Sequence, residues 1–416
     1  MDNALSVEER GYILAKVFQS IPLYFAHWED ATIGKDELDA AFRALAGEAL
    51  PCDERRRFSL LLTAFMAKLN NGHTRFRDPY LVEALPVGMA LRPVDERWTV
   101  VASDLPQLRV GDVIRRIEDE PIEAWYDELY PYTVGSPQSR TVQFGDLKGF
   151  FPPLIRVFLP ERYTVAFEDA RGATRTLEVD RAALDREAVP LRTEGRWLEE
   201  GLAYIKVPSF LDPEFEQRAL AYVHEFAGAA CMIVDVRSNE GGSTPGALTQ
   251  ALMDRPYRWW IESSPLNVGL LAYDAQRGHN AYLFGDSHLR WRAPATNPDP
   301  EGYAGRLILL VDRATWSAGE DFVMPFLDNR RATVIGEMTG GSTGQPYYHM
   351  FDNGMGFAVG TKRVYLPDGG RFEGVGLAPD IAVQVQREDL YAGRDPVLER
   401  AIAVARGQEA KGRSDA

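Results

Sequence analysis

A serine stands at the predicted start of a helix in the segment "LILLVDRATWSAGEDF", residues 307–322. Ser317 follows an apolar strand and a short turn, so its hydroxyl would lie at the positive end of a helix dipole. The backbone N–H of Ala318 would then face any oxyanion that develops there, which is the arrangement that nucleophilic catalysis needs. Taken alone, the position favours a helix cap, because Glu320 completes a capping box with Ser317.

Three further segments carry residues that could complete such a site. In "VDVRSNEGGSTPG", Gly241 and Gly242 follow a buried strand and could expose backbone N–H groups to an anion. His73 lies in "NNGHT", a break directly after an amphipathic helix, and Glu373 lies in the glycine-rich segment "DGGRFEGVG". Each has a plainer interpretation when taken alone: a flexible turn, a structural histidine and a solvated acid.

The elements around these residues predict three regions and a tail. Residues 1–75 carry helical stripes and predict a helical cap that ends in the NGHT motif. Residues 80–190 read as short strands separated by Gly, Pro and Asp, with "LPVGMAL" and "LRVGDVIRRIEDE" resembling a PDZ module. Residues 195–405 alternate apolar strands with helices and predict an α/β core with a mostly parallel sheet. Residues 406–416 are polar and predict a disordered tail.

Composition excludes several classes of function. The 416 residues carry a net charge of −15, which repels nucleic acid and anionic lipid. No run of apolar residues is as long as a membrane span, so no membrane partner is predicted. No two of the six histidines have the spacing of metal ligands, and neither a metal nor another cofactor is predicted. The start of the chain resembles no signal peptide, so a cytoplasmic location is expected unless a leader peptide preceded residue 1.

Together the motifs resemble the carboxyl-terminal processing (tail-specific) serine peptidases, and most of all their branch of tricorn-core and interphotoreceptor retinoid-binding proteins. In chain order they are "NGHT", the PDZ-like segment, "DVRSNEGG", "TWSAGE", "IGEMT" and "GVGLAPD". The resemblance implies a ClpP/crotonase-like core of ββα units with a helical cap and an inserted PDZ-like domain.

The resemblance also implies roles for individual residues. Ser317 falls on the nucleophile, His73 on the general base and Glu373 on the carboxylate that completes the site. The N–H groups of Gly241 or Gly242 and of Ala318 fall on the oxyanion hole. The implied activity is hydrolysis of peptide bonds by acyl transfer, on peptide or protein substrates, and homo-oligomerisation stays open.

Two positions depart from the family pattern. The processing peptidases have a base lysine 25 residues beyond the serine, whereas this chain has Ser342 there. The tricorn site has a serine next to its histidine, whereas Gly72 precedes His73 here. Thr74, Asn71 and Ser342 are the candidates to supply the missing polar group, and the sequence does not choose among them.

Two other functions remain open at this point. The chain could be a catalytically silent relative that binds peptides or apolar ligands, with the aromatic segment 257–276 lining the site. It could also hydrolyse thioesters or small esters, because a fold does not fix its chemistry.

Overall fold

The computed structural model describes residues 4–82, 85–145, 154–184, 190–266 and 288–408. The protein is a mixed α/β structure with several sheets. Among the described residues, no helix is long and apolar enough to cross a membrane.

The N-terminal region is helical because its apolar residues recur three or four positions apart. Ile13, Val17 and Ile21 are buried on one face of the first helix, and Ser6 caps its start in a capping box with Glu9. The elements are α1 (Val7–Tyr24), α2 (Leu38–Ala49), α3 (Arg55–Ala67), β1 (Arg75–Arg77) and α4 (Pro79–Val82).

The second region is a small antiparallel β module, and one of its helices contacts the loops of the site. Its elements are β2 (Met89–Val94), β3 (Arg97–Ser103), β4 (Val113–Ile117), β5 (Glu120–Pro121), α5 (Ile122–Leu129), α6 (Pro137–Gly145), α7 (Ile155–Phe158), β6 (Arg162–Glu168) and β7 (Thr174–Asp180). The strands are ordered β2-β3-β4-β6-β7, with β5 paired to β4. Its apolar cluster is separate from those of the other regions.

The third region alternates strands and helices. Its elements are β8 (Glu194–Glu199), β9 (Leu202–Lys206), α8 (Pro213–Glu225), β10 (Cys231–Asp235), α9 (Gly246–Leu252), β11 (Ile261–Pro265), β12 (His288–Arg292), β13 (Arg306–Val311), α10 (Ala318–Asp328), β14 (Ala332–Gly336), β15 (Pro346–Met350), β16 (Gly356–Gly360), β17 (Arg363–Tyr365), β18 (Ile381–Ala382), α11 (Arg387–Ala392) and α12 (Pro396–Ala405).

The central sheet has the order β18-β14-β13-β10-β9-β8, and only the β8–β9 pair is antiparallel. Apolar clusters cover both of its faces, which is why its strands are nearly continuous runs of Val, Ile and Leu. The described residues also form two three-stranded sheets, β1-β16-β15 and β12-β11-β17. The first of them packs against the N-terminal helices, since Phe357 and Val359 of β16 belong to the same cluster as Val17 and Ile21.

Two sequence predictions fall largely on undescribed residues. Of the predicted tail, residues 409–416 lie outside the described part of the chain, and Arg406 forms an ion pair with Glu199. Of the aromatic segment 257–276, residues 267–276 lie outside it. Within the described part, Tyr257 and Trp260 are buried core residues, and Trp260 packs on Phe372.

Candidate active site

Ser317 lies in the turn that joins β13 to α10. The turn is fixed by Thr315, whose hydroxyl accepts the Asp312 N–H and donates to the Val236 carbonyl. Ser317 itself has φ 54° and ψ −121°, a backbone conformation that residues other than glycine rarely adopt. Such strain is retained where the surroundings enforce it, commonly at functional sites.

The Ser317 hydroxyl is directed to His73 and not to the helix. Its Oγ lies 3.1 Å from His73 Nε2, and it makes no capping hydrogen bond to α10. The reciprocal half of the capping box does form, because the Ser317 N–H donates to Glu320 Oε2 at 3.3 Å. The serine is therefore available for chemistry while Glu320 holds its backbone.

His73 is buried and held from three sides. Its Nδ1 lies 3.0 Å from Ser342 Oγ, and its backbone N–H donates to Asn71 Oδ1 at 3.1 Å. The Trp316 ring stacks on the imidazole with centroids 4.4 Å apart and planes 9° from parallel. Burial, with Arg75 and Lys362 adding positive charge, lowers the pKa of His73 to about 3. The imidazole is therefore neutral at physiological pH and its Nε2 can accept a proton.

Ser342 is the polar group that the sequence left unassigned. The Thr74 hydroxyl donates to Asn71 Oδ1 and accepts the Gly360 N–H, while Asn71 Nδ2 donates to Glu373 at 3.4 Å. Only Ser342 among the three sequence candidates has a side-chain atom at hydrogen-bond distance from the imidazole.

Glu373 joins the same network beside Ser342. Its Oε1 accepts the N–H of Thr343, the residue that follows Ser342, at 3.2 Å. Burial raises the pKa of Glu373 well above its usual value. His27 Nδ1 lies 3.9 Å from Glu373 Oε2 and has no hydrogen-bond partner among the described residues.

The predicted oxyanion groups also lie near Ser317. Among the described residues, the N–H groups of Ala318 and Gly242 have no hydrogen-bond acceptor. Gly241 has φ +94° and lies so close that a Cβ on it would be 2.7 Å from Ser317 Cβ. Its N–H donates to Asn239 Oδ1 at 2.9 Å, so of the two glycines Gly242 offers the unengaged N–H.

Asp235 and Arg237 have a structural role in the same motif. Asp235 accepts hydrogen bonds from Arg237, Tyr204 and Lys206, and Arg237 also pairs with Asp395. These contacts fix the end of β10, so the loop that carries Gly241 starts from a rigid strand end.

Glu320 is the buried acid that joins two loops of the site. Its carboxyl group accepts hydrogen bonds from the Thr339 hydroxyl, from the N–H groups of Gly341 and Ser342 at 2.7 and 3.0 Å, and from Ser317. The sequence suggested only its capping role. Nothing in the sequence singled out Trp316 or His27.

In the described part of the chain, no group of three or more His, Cys, Asp or Glu side chains is arranged to hold a metal ion. The arrangement of Ser317, His73, Ser342 and Glu373 is instead suited to moving a proton away from a serine hydroxyl.

Comparisons with known proteins find relatives that are named as proteases. Residues 201–383 match the family described as Peptidase family S41. A carboxy-terminal-processing protease of Bartonella bacilliformis is 24% identical over 241 residues, which cover 55% of this chain and 51% of that protein. A tricorn protease homolog of Saccharolobus solfataricus is 26% identical over 310 residues, which cover 72% of this chain and 24% of that protein.

The fold has a solved counterpart. The crystal structure of mature CPAF matches with a TM-score of 0.73 over 97% of this chain and 99% of its own, at 16% identity. The chain spans about half or less of the length of the two curated relatives. The family match and these relatives confirm the resemblance that the motifs predicted: residues 201–383 of this chain are similar to peptidase family S41.

Proposed function

We propose that this chain is a serine peptidase that hydrolyses peptide bonds through Ser317, with His73 as the general base. The observation that carries the proposal is the 3.1 Å separation of Ser317 Oγ and His73 Nε2 between residues 244 positions apart in the chain. The family match and the relatives named as proteases support it. Ser317 is half-buried whereas His73 is fully buried, so a substrate would reach the hydroxyl and not the base.

In the first step, His73 Nε2 takes the Ser317 hydroxyl proton as Oγ bonds to the scissile carbonyl carbon. The C=O electron pair moves to oxygen and gives a tetrahedral oxyanion. When the intermediate collapses, the C–N bond breaks and His73 returns the proton to the leaving amine. Water then repeats the sequence on the acyl-enzyme and releases the acid and free Ser317.

Ser342 and Glu373 would hold the imidazole in the tautomer that this step requires. With the neutral ring protonated on Nδ1, that N–H donates to Ser342 Oγ, and Nε2 is left to accept from Ser317. The Ser342 hydroxyl would keep its own proton for an acceptor, and Glu373, which holds the neighbouring Thr343 N–H, is the acceptor that we propose. This network replaces the lysine base of the processing peptidases, whose position Ser342 occupies.

The oxyanion would be held by the N–H groups of Ala318 and Gly242. Both lack acceptors among the described residues, and Ala318 adds the positive end of the α10 dipole. Gly241 would serve as well if its N–H were released from Asn239.

The finer architecture belongs to the same proposal. The α/β region, 195–405, would be the ClpP/crotonase-like catalytic core, with residues 1–75 as its helical cap. Residues 80–190 would be a PDZ-like domain, in which α6 lies along the edge strand β2 so closely that a Cβ on Gly145 would be 3.0 Å from Leu91 Cβ. Peptides or proteins are the proposed substrates.

The test is cleavage of a diverse peptide pool, followed by mass spectrometry, for wild type, Ser317→Ala and His73→Gln. His224→Ala is the matched control, because His224 is an exposed histidine on α8, away from the site. We expect cleavage by wild type and the control and a loss of three to four orders of magnitude in the other two, on the order of what triad residues contribute. Cleavage that survives in Ser317→Ala would overturn the nucleophile assignment. Absence of cleavage by every protein would favour a ligand-binding relative.

A further inference from the structure

Helix α6 of the β module begins against the loops that carry the site residues. Ser136, just before the helix, donates its hydroxyl to the Gly340 carbonyl at 2.6 Å and accepts the Ser139 N–H at 3.1 Å. Ser136 is completely buried. The helix start is thereby attached to the loop of residues 339–343, in which Ser342 lies.

Gln138 joins that loop to the loop of Glu373. Its Nε2 donates to the Thr339 carbonyl at 2.7 Å and to the Val375 carbonyl at 2.5 Å. An amide nitrogen has two protons, so both are used in holding the two loops together.

The two loops are also in direct contact beside Gln138. The Gly374 N–H donates to the Gly341 carbonyl at 2.8 Å, and the Thr339 N–H donates to the Leu377 carbonyl at 3.2 Å. A Cβ on Gly376 would lie only 2.3 Å from the Thr339 carbonyl oxygen, so the backbones of the two loops are in close contact. Gln138 therefore bridges the point at which the Ser342 and Glu373 loops meet.

The third loop that α6 contacts is that of His73. Asn70, three residues before His73, accepts hydrogen bonds on Oδ1 from the Gly135 N–H at 3.0 Å and from Arg140 Nη2 at 2.6 Å. Arg140 is buried and is itself held by the Thr133 hydroxyl. The start of α6 thus contacts the loops of His73, Ser342 and Glu373 at once.

We infer that Gln138 is a positioning residue for the active site, and that the β module sets the catalytic geometry through the start of α6. The inference rests on the proposed function. The His73–Ser342 and Thr343–Glu373 hydrogen bonds join separate loops, and catalysis is sensitive to displacements of about 1 Å. Releasing Gln138 would let the Ser342 and Glu373 loops separate and would leave His73 without its fixed orientation.

The test compares Gln138→Leu with Gln143→Leu. Gln143 lies on the same helix, but among the described residues its side chain bonds only to Val134 and Ser139, inside the β module. We expect Gln138→Leu to lower kcat by about tenfold to a hundredfold with KM little changed. Gln143→Leu should keep kcat within about twofold of wild type. Gln138→Glu preserves the shape without the N–H donors, and it should behave as Gln138→Leu does.

Amide hydrogen exchange gives a readout that needs no turnover. In Gln138→Leu, exchange should accelerate in residues 339–343 and 373–377, and it should be unchanged there in Gln143→Leu. Unchanged exchange and kcat in both Gln138 variants would overturn the inference, as would an equal loss of kcat in Gln143→Leu. If wild type cleaves no peptide, the proposed function fails, and the exchange data still decide whether Gln138 holds the loops.

Discussion

The Ser342 side chain occupies the space beside Gly72. A Cβ built on Gly72 would lie 3.0 Å from both Cβ and Oγ of Ser342, and 2.8 Å from the Trp316 ring. Ser342 Oγ is also 3.0 Å from His73 Nδ1. The Ser342 hydroxyl therefore reaches the imidazole from a loop 269 residues away, and it occupies space that a side chain at position 72 would need.

This relationship predicts the effect of moving the hydroxyl. Ser342→Ala should lower kcat by about tenfold to a hundredfold, because His73 Nδ1 loses its partner. Gly72→Ser alone should reduce the melting temperature, because its Cβ has no room. The double variant Gly72→Ser with Ser342→Gly should recover part of the activity that Ser342→Ala loses. Peptide hydrolysis and thermal unfolding measure the two effects, and a double variant no more active than Ser342→Ala would contradict the exchange.

The pKa of His73 predicts how activity depends on pH. Burial, Arg75 and Lys362 lower this pKa to about 3, and the base works only when it is neutral. An unperturbed histidine has a pKa of about 6.5 and would place the acid limb of kcat/KM near that pH. The acid limb that His73 causes should therefore lie far below it. Lys362→Gln removes a positive charge, so it should raise the pKa of His73 and shift the limb to higher pH. Lys68→Gln, at an exposed lysine, is the control. A wild-type limb centred near pH 6.5 would contradict the prediction.

Trp316 should stabilise the charged form of His73 during catalysis. Its ring lies parallel to the imidazole at 4.4 Å, and the face of an indole attracts a cation. Trp316→Leu should lower kcat/KM by about threefold to thirtyfold, the equivalent of a cation–π contact. Trp316→Phe preserves an aromatic face and should lose less. The kcat/KM of each variant is to be measured below its melting temperature. An equal loss of kcat/KM in Trp316→Leu and Trp316→Phe would show that Trp316 acts by packing alone.

Burial of Glu320 predicts a contribution to stability that is lost as the pH rises. Burial raises the pKa of Glu320 from 4.5 to about 8, although four hydrogen bonds to the carboxyl group act to lower it. Between these two values the folded state binds a proton at Glu320 that the unfolded state has released, so the contribution of Glu320 to the free energy of unfolding should fall as pH increases. Glu373 and Asp321, whose pKa values are also raised by burial, act in the same direction.

Denaturant titrations from about pH 5 to pH 8 test this. Glu320→Gln should be less stable at every pH, because an amide N–H₂ would face backbone donors, and its unfolding free energy should depend less on pH. A variant with the same slope as wild type would show that Glu320 does not titrate in this range.

The sequence by itself predicted the family resemblance and the residues of the candidate site. Ser317, His73 and Glu373 lie in separate motifs whose order along the chain predicted a serine peptidase, and the alternation of apolar strands and helices predicted the α/β core. Such signals are local: a strand end, a turn and a helix start are written in adjacent residues.

Only the tertiary structure decided how these residues are connected. Ser342, Asn71 and Thr74 were equivalent in the sequence, because which hydroxyl lies 3.0 Å from His73 depends on the packing of loops 269 residues apart. The contacts of Gln138 with Thr339 and Val375 cross more than 200 residues of chain. A hydrogen bond between distant loops leaves no periodic or local pattern in the sequence, so the fold has to place its two atoms before it can be recognised.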